Sequence, residues 1–305
     1  MKNPFGFLII DKPAGVTSHD CVNIIRKVYK TKRVGHGGTL DPAVTGVLPI
    51  AIGNATRLFQ YLPSTKTYNA IIQLGKQTST DDIHGEIISE KKWPLLEEIS
   101  INNFLNQFRG PIEQEPPIIS SIHFQGERAY KRARKGESFK IPSRKVTIYD
   151  LEFCNWNQDT GRLKLKIDCS SGTYIRSLAR DLGQVLNCGG CLLELRRIQS
   201  QGFKENQAIS LPYTKDDDKK IPKLLNPLEA LEHMSQVKIM TEKDLDRWRR
   251  GQQLNIENNL NYQKNQSNDI SNQYLVVIDN KNVIAGIGEK SITNKIKPKI
   301  VFNAY

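Results

Sequence analysis

Between residues 6 and about 203 the hydrophobic period switches repeatedly between 2 and 3.6, which commits this stretch to a sheet covered by helices. Gly6 to Asp11 reads as a strand that ends in the Lys12-Pro13-Ala14-Gly15 turn. Ser18 then stands where a cap would start a helix reaching about Tyr29, with Val22, Ile25 and Val28 on one face. Tyr68, Ala70, Ile72 and Leu74 alternate as on a strand, and so do Leu163, Leu165 and Ile167. Ile101, Phe104, Leu105 and Phe108 form a helical stripe behind Ser100, stopped by Gly110-Pro111. Gly172 opens a further helix carrying Ile175, Leu178, Leu182 and Leu186. The alternation is too irregular for a doubly wound sheet. It predicts an α+β fold with a mixed, mostly antiparallel sheet flanked by helices.

The pattern breaks after Phe203. Residues 204–222 are polar and include the run Asp216-Asp217-Asp218-Lys219-Lys220. Beyond about Val237 come a short helix, an Asn-rich stretch from Asn255 to Asn272, and a hairpin. In the hairpin, Tyr274 to Asp279 and Val283 to Ile287 flank Asn280-Lys281-Asn282. The Asn-rich stretch, poor in apolar anchors, is expected to be a disordered loop. Two domains are therefore expected, a larger one over 1–235 and a small β-rich one over 236–305. No internal repeat is visible.

No apolar run approaches the roughly 20 residues that cross a bilayer. Phe5 to Ile10 is too short for a secretory core and runs at once into Asp11-Lys12. A cytoplasmic protein with no membrane partner is expected. Five cysteines, an odd number, argue against a disulfide framework. Cys188-Gly-Gly-Cys191 has metal-ligand spacing, but no second pair completes a four-ligand site. A tight turn before a strand is the favoured reading, and no metal is expected. The net charge of +12 suits a polyanion. Its distribution says more. Between His123 and Lys145 stand Arg128, Lys131, Arg132, Arg134, Lys135, Lys140, Arg144 and Lys145 against only Glu127 and Glu137, with Phe124 and Tyr130 interleaved. Arg26, Lys27, Lys30, Lys32 and Arg33 form a second cluster. Such density points to contact with an RNA backbone.

The most unusual stretch is Gly35-His36-Gly37-Gly38-Thr39-Leu40-Asp41-Pro42-Ala43-Val44-Thr45-Gly46-Val47-Leu48-Pro49. Glycines allow a sharp turn and close approach of a ligand, and Pro42 stiffens the chain at Asp41. Alone, Asp41 could be a turn residue bonding its own backbone, and His36 a structural histidine. A phosphate-binding loop is disfavoured, because the Gly-Lys-Ser/Thr ending is absent.

This stretch resembles the signature of the TruB family, the tRNA pseudouridine-55 synthases. Gly6 to Pro13 with Gly15-Val16-Thr17-Ser18 is similar to the family's N-terminal motif, and Gly53-Asn54-Ala55-Thr56-Arg57 to the segment after the catalytic loop. Lys66-Thr67-Tyr68, Leu74-Gly75 with Thr78 to Gly85, Ser170 to Arg176, and Leu195-Arg196-Arg197 resemble later motifs, in order. The C-terminal segment resembles the family's small PUA-like RNA-binding domain only loosely. Ser79 and His84 stand where many members have acids, and Val44 where Ala is usual.

The resemblance implies that Asp41 is the catalytic nucleophile and that His36 packs on bases of the tRNA T-loop. It implies that Tyr68 and Tyr174 contact a flipped uridine, Tyr68 by stacking. Arg176 would pair with Asp41, Leu195 would line the uracil pocket, and Asp82 would be a polar pocket residue. The substrate implied is the T-arm stem-loop of tRNA, bound by a monomer. The reaction moves the glycosidic bond from N1 to C5 and needs no cofactor, and no cofactor motif is present. The carboxylate could attack the sugar C1′ or the uracil C6, or assist elimination. Extruding a stacked base costs a few kcal/mol, and stacking on an aromatic face returns roughly 1–3 kcal/mol. The competing reading is an RNA-binding or tRNA-chaperone protein whose catalysis is secondary or lost.

Overall fold

A computed structural model describes residues 4–303 apart from 121, 125, 138, 213–220, 256–259, 264–272 and 292–293. The apolar run after Gly6 forms strand β1 (Gly6–Lys12), which lies inside a large sheet. Phe7 and Ile9 enter one apolar cluster while Leu8 and Ile10 enter another on the opposite face. That double burial is why the run is continuous rather than alternating. Strand β2 (Val34–His36) pairs with β3 (Thr45–Ile52), and β3 pairs antiparallel with β1. The sheet continues from β3 through Gly190–Ser200 to β4 (Lys66–Leu74), then Arg162–Cys169, Arg144–Asn157 and Gly110–Gln114. Among its described strands, only the short pairings of β1 with Ile209–Ser210 and of β3 with Gly190–Ser200 are parallel. The sheet is mixed and mostly antiparallel, as the patterning predicts.

Helices α1 (Ser18–Val28), α2 (Glu98–Leu105) and α4 (Ile175–Val185) cover one face of this sheet, burying Val22, Ile25, Ile101, Leu105, Leu178 and Leu182. Their starts differ from expectation. Thr17, not Ser18, caps α1, with Asp20 closing a reciprocal capping box. The Ser18 hydroxyl is instead engaged with Leu40, a partner no local pattern could show. Glu97, without a side-chain cap, precedes α2 in place of Ser100. The helix after Gly172 begins only at Ile175. Cys188 and Cys191 are buried free thiols flanking the start of Gly190–Ser200, the turn-and-strand arrangement expected.

A second sheet contains Gln236–Ile239, Leu254–Asn255, Leu260–Gln263, Tyr274–Ile278, Ile284–Lys290 and Lys295–Val301. The expected hairpin is the pair Tyr274–Ile278 and Ile284–Lys290. The Asn-rich stretch is not wholly loop, because Leu260–Gln263 pairs antiparallel with Gln236–Ile239. Its remainder at 256–259 and 264–272, like the acidic run at 216–220, lies outside the described residues. Trp248 is fully buried in this sheet's own core and its indole N–H donates to the Ala285 carbonyl at 3.0 Å. A further cluster joins the two sheets, packing Phe7, Ile9, Val47 and Ala51 against Val276, Ile278, Ile287 and Ile300. Among the described residues no helix is long and apolar enough to cross a membrane.

Candidate active site

The loop between β2 and β3 is held by side chains from distant parts of the chain. Pro42 follows Asp41 in a tight turn closed by the Val44 N–H on the Asp41 carbonyl at 3.0 Å. Asp41 is thus a turn residue and still presents its carboxylate outward, about half exposed. The Ser18 hydroxyl donates to the Leu40 carbonyl at 3.1 Å and accepts from the Leu40 N–H at 2.9 Å. Lys12, completely buried, donates its ammonium to the carbonyls of Pro13, Val16 and Pro42 at 2.8, 2.9 and 3.1 Å. Burial pushes the Lys12 ammonium below its ordinary range, partly offset by the Cys21 and Asp41 charges.

Arg197, also fully buried, donates from Nε to the Val47 carbonyl at 2.8 Å and from Nη2 to the Gly38 carbonyl at 3.1 Å. Gly46 allows this close crossing of strands: at φ +105°, a Cβ there would stand 2.2 Å from the Arg197 carbonyl oxygen. The motif pattern includes Lys12 and Arg197 but gives no hint that they splint the loop. Their partners are backbone carbonyls far away in sequence, which no side-chain pattern encodes.

Facing Asp41 across the site is Arg176, in the first turn of α4 and almost wholly buried. Its Nη2 lies 2.9 Å from Asp41 Oδ2, and its Nη1 3.5 Å from Asp82 Oδ2. The same guanidinium donates to the Thr80 carbonyl at 3.2 Å and the Ile119 carbonyl at 2.9 Å, so four acceptors fix its plane. Asp82 Oδ1 accepts from the Thr80 hydroxyl at 2.8 Å and the His84 N–H at 3.1 Å, which holds Asp82 in place from its own loop. Tyr174 is fixed through its backbone: Gln114, fully buried, donates to its carbonyl at 3.0 Å and accepts from its N–H at 2.7 Å. The Arg144 guanidinium stacks over the Tyr174 ring at 5.1 Å.

Two concavities meet at Asp41. A pocket of about 210 Å³ is lined by Asp41, Tyr68, Ser120, Tyr174, Arg176 and Leu195 among others. A larger cleft of about 990 Å³ contains Asp41, Asp82, His84, Lys164, Arg176 and Leu195. Asp41, Val44, Arg176 and Leu195 belong to both, so the carboxylate stands where the open cleft narrows into the small pocket. Burial pushes the Tyr68 phenol above its ordinary range, with Arg197 beside it pulling the other way. The structure therefore brings together six of the seven candidate residues. His36 is the exception. It lines neither concavity, sitting half-buried at the end of β2 with Nδ1 accepting the Gly38 N–H at 3.3 Å. Burial and then Arg197 push its imidazole down. Ser120, which also lines the small pocket, carries no signal in the sequence beyond its polarity, and Lys66, another lining residue, stands in the Lys66-Thr67-Tyr68 motif without a role assigned to it.

The basic stretch after His123 has its own local structure. A short hairpin, His123–Phe124 with Glu127–Arg128, leads into helix α3 (Ala129–Arg134). Arg132 lies against the Phe124 and Phe139 rings, at 5.4 and 4.9 Å, and pairs with Glu137 at 2.5 Å. Arg132 therefore ties this segment together. Lys131 and Lys145 are exposed.

Solved structures share the whole architecture. The H/ACA RNP bound to a substrate RNA containing 2′-deoxyuridine includes a chain that matches with a TM-score of 0.69 at 25% identity, over 98% of this chain and 85% of that one. A Cbf5-Nop10-Gar1 complex matches equally, at 0.69 and 26% identity over 98% and 84%. Residues 26–175 match the TruB family pseudouridylate synthase N-terminal domain, and residues 176–232 the tRNA pseudouridylate synthase B C-terminal domain. The chain belongs to the TruB family of pseudouridylate synthases.

Its relatives narrow the kind further. The tRNA pseudouridine synthase B of Prochlorococcus marinus (strain NATL2A) is 51% identical over 100% of this chain and 99% of its own. That of Parasynechococcus marenigrum (strain WH8102) is 49% identical over 100% and 99%. That of Synechococcus sp. (strain CC9311) is 48% identical over the same shares, 100% and 99%.

Proposed function

We propose that this protein converts one uridine of tRNA, position 55 in the T-arm, to pseudouridine, with Asp41 as the nucleophile. The observation that carries the reading is the Asp41–Arg176 pair at 2.9 Å, placed where an RNA-sized cleft narrows to a base-sized pocket. Relatives about 50% identical along their whole length bear the name tRNA pseudouridine synthase B.

The uridine leaves its stack and its base enters the small pocket between the Tyr68 ring and Leu195, with Tyr174 on the far wall. Arg176 holds the Asp41 carboxylate toward the nucleotide. Attack at C1′, attack at C6 and assisted elimination all draw on this same oxygen. The N1–C1′ bond breaks, the uracil turns, the C5–C1′ bond forms, the C5 hydrogen leaves to solvent as a proton, and the freed N1 takes a proton up. Asp82, on the cleft side of Arg176, keeps the guanidinium balanced between two carboxylates. His36, at the rim beside the loop, packs on T-loop bases outside the pocket. The exposed Lys131 on α3 and Lys145 on the Arg144–Asn157 strand meet the phosphates, and residues 236–305 form a second RNA-binding unit. The protein acts as a monomer in the cytoplasm.

Asp41→Asn tests the core of this reading. It should bind unmodified tRNA with wild-type affinity and yield no pseudouridine in single-turnover tritium release. Appreciable turnover by that variant refutes the assignment, and tRNA binding without product by the wild type would favour a binding protein.

A further inference from the structure

One group of charges has no part in the chemistry above. Lys66, at the start of β4, lines the small pocket with Asp41, Tyr68 and Tyr174. Its ammonium has no hydrogen-bond or ion-pair partner among the described residues, and the charges bearing on it are the Arg197 guanidinium and the Cys169 thiol. Arg197 is completely buried; its Nε and Nη2 are both used on carbonyls, while its Nη1 makes no hydrogen bond of ordinary geometry and the guanidinium has the Tyr68 phenol beside it.

The two groups converge. Where a Cβ would stand on Gly38, Lys66 Nζ is 3.2 Å away and Arg197 Nη1 is 3.7 Å away. Gly38 sits at φ +130°, a conformation that disfavours any side chain, so the space above it stays clear. Burial and Arg197 together push the Lys66 ammonium down to about 8.

Like charges set side by side in a partly buried wall cost free energy unless an anion completes them. No carboxylate among the described residues does so. Asp41, on the same pocket, is held by Arg176. Lys12, the other buried ammonium of the loop, is spent on three carbonyls.

We propose that Lys66, backed by Arg197, seats a backbone phosphate of the RNA, one of the two that flank the nucleotide whose base enters the pocket. The inference rests on reading this pocket as the uridine site. A base there brings its own phosphates within about one sugar's length, and each carries the full negative charge the wall lacks. An ammonium on a flexible stem suits a phosphate because it acts as a point charge without a fixed fork. Gly38 leaves room for the phosphate oxygens, and the buried Arg197 supplies field from beneath.

The test pairs Lys66→Met and Lys66→Arg with T-arm stem-loop RNAs carrying one methylphosphonate, 5′ or 3′ to the target uridine. On all-phosphate RNA, Lys66→Met should raise KM by about tenfold or more, the scale of one lost charged hydrogen bond, with a smaller change in kcat. Lys66→Arg should restore most of it. The wild type should lose a similar factor on one of the two neutral-linkage RNAs, and Lys66→Met should lose nothing further on that RNA. Losses that multiply at both positions overturn the proposal, as does a loss confined to kcat. Inhibition by millimolar inorganic phosphate that disappears in Lys66→Met, without any methylphosphonate effect, would make this a free-anion site and also overturn it. A wild type that forms no pseudouridine on any RNA fails the uridine reading instead. The methylphosphonate comparison can then still be read from Kd alone. Thermal melts of both variants establish that the pocket is folded.

Discussion

Replacing Arg176 by Met separates the electrostatic work of the site from its packing, because Met keeps the length and apolar bulk of the side chain. Four acceptors lose their donor: Asp41 Oδ2 at 2.9 Å, Asp82 Oδ2 at 3.5 Å, and the carbonyls of Thr80 and Ile119 at 3.2 and 2.9 Å. Breaking a fully buried ion pair costs about 3–5 kcal/mol, but Asp41 is 47% exposed and water screens much of that. The two carbonyls lose charge-assisted bonds on their protein side, each worth about 1–3 kcal/mol. A stability loss of about 2–4 kcal/mol is therefore expected, read as a fall in Tm of several degrees.

The rate should suffer more than the fold. With no guanidinium to fix it, the half-exposed carboxylate can swing into the open cleft, and a displacement of about 1 Å at a reacting group costs on the order of 10²-fold. Single-turnover tritium release at saturating tRNA should fall by at least that factor while tRNA affinity stays within a few-fold. Arg176→Lys should recover little, since one ammonium cannot span Asp41 and Asp82 together. A rate within fivefold of wild type for Arg176→Met, in a protein shown to be folded, would mean that Asp41 needs no partner.

Ser18→Ala removes both hydrogen bonds to Leu40 and should lower stability by about 1–2 kcal/mol and kcat with little change in KM, measured by denaturant titration and steady-state assay. Lys66, lowered to about 8 in the folded protein against 10.5 ordinarily, should make tRNA affinity decline as pH rises through about 8, with proton uptake on binding above that pH. Three titratable groups near it are moved away from that window: the Cys169 thiol is pushed to about 11, the Tyr68 phenol is pushed up and the His36 imidazole is pushed down. Between about 8 and 10.5 the unfolded chain binds more protons at this lysine than the folded one, so its contribution to stability rises with pH. Lys131→Glu with Lys145→Glu should weaken tRNA binding and flatten the slope of log K against log salt by roughly 0.7–0.9 for each phosphate no longer neutralised, leaving single-turnover rate at saturation unchanged.

Which features are legible from sequence follows from the range of the interactions involved. Arg162–Cys169 is read correctly because it is buried on alternate residues, and β4 because Tyr68, Ala70, Ile72 and Leu74 all face the core; both patterns are local. The start of α1 is misplaced by one residue because two hydroxyls compete for the cap. The loser, Ser18, is claimed by Leu40 22 residues away. Leu260–Gln263 is missed because a strand that pairs through its backbone needs few apolar anchors. At the site, Asp41 and Arg176 stand out through their motifs, whereas the splints Lys12, Ser18 and Arg197 serve carbonyl oxygens. Carbonyl oxygens are identical at every residue and leave no trace in composition.

The strand that carries Asp41's loop has two clients. Leu48 and Ile50 of β3 face the helices, while Val47 and Ala51 meet the second sheet through Val276, Ile278 and Ile300. A fragment cut at residue 235 would keep every pocket residue yet bare the reverse side of the strand on which the nucleophile is mounted. The C-terminal sheet thus backs the strand beneath the active site, and its removal should destabilise what remains, read as a lower Tm of the fragment.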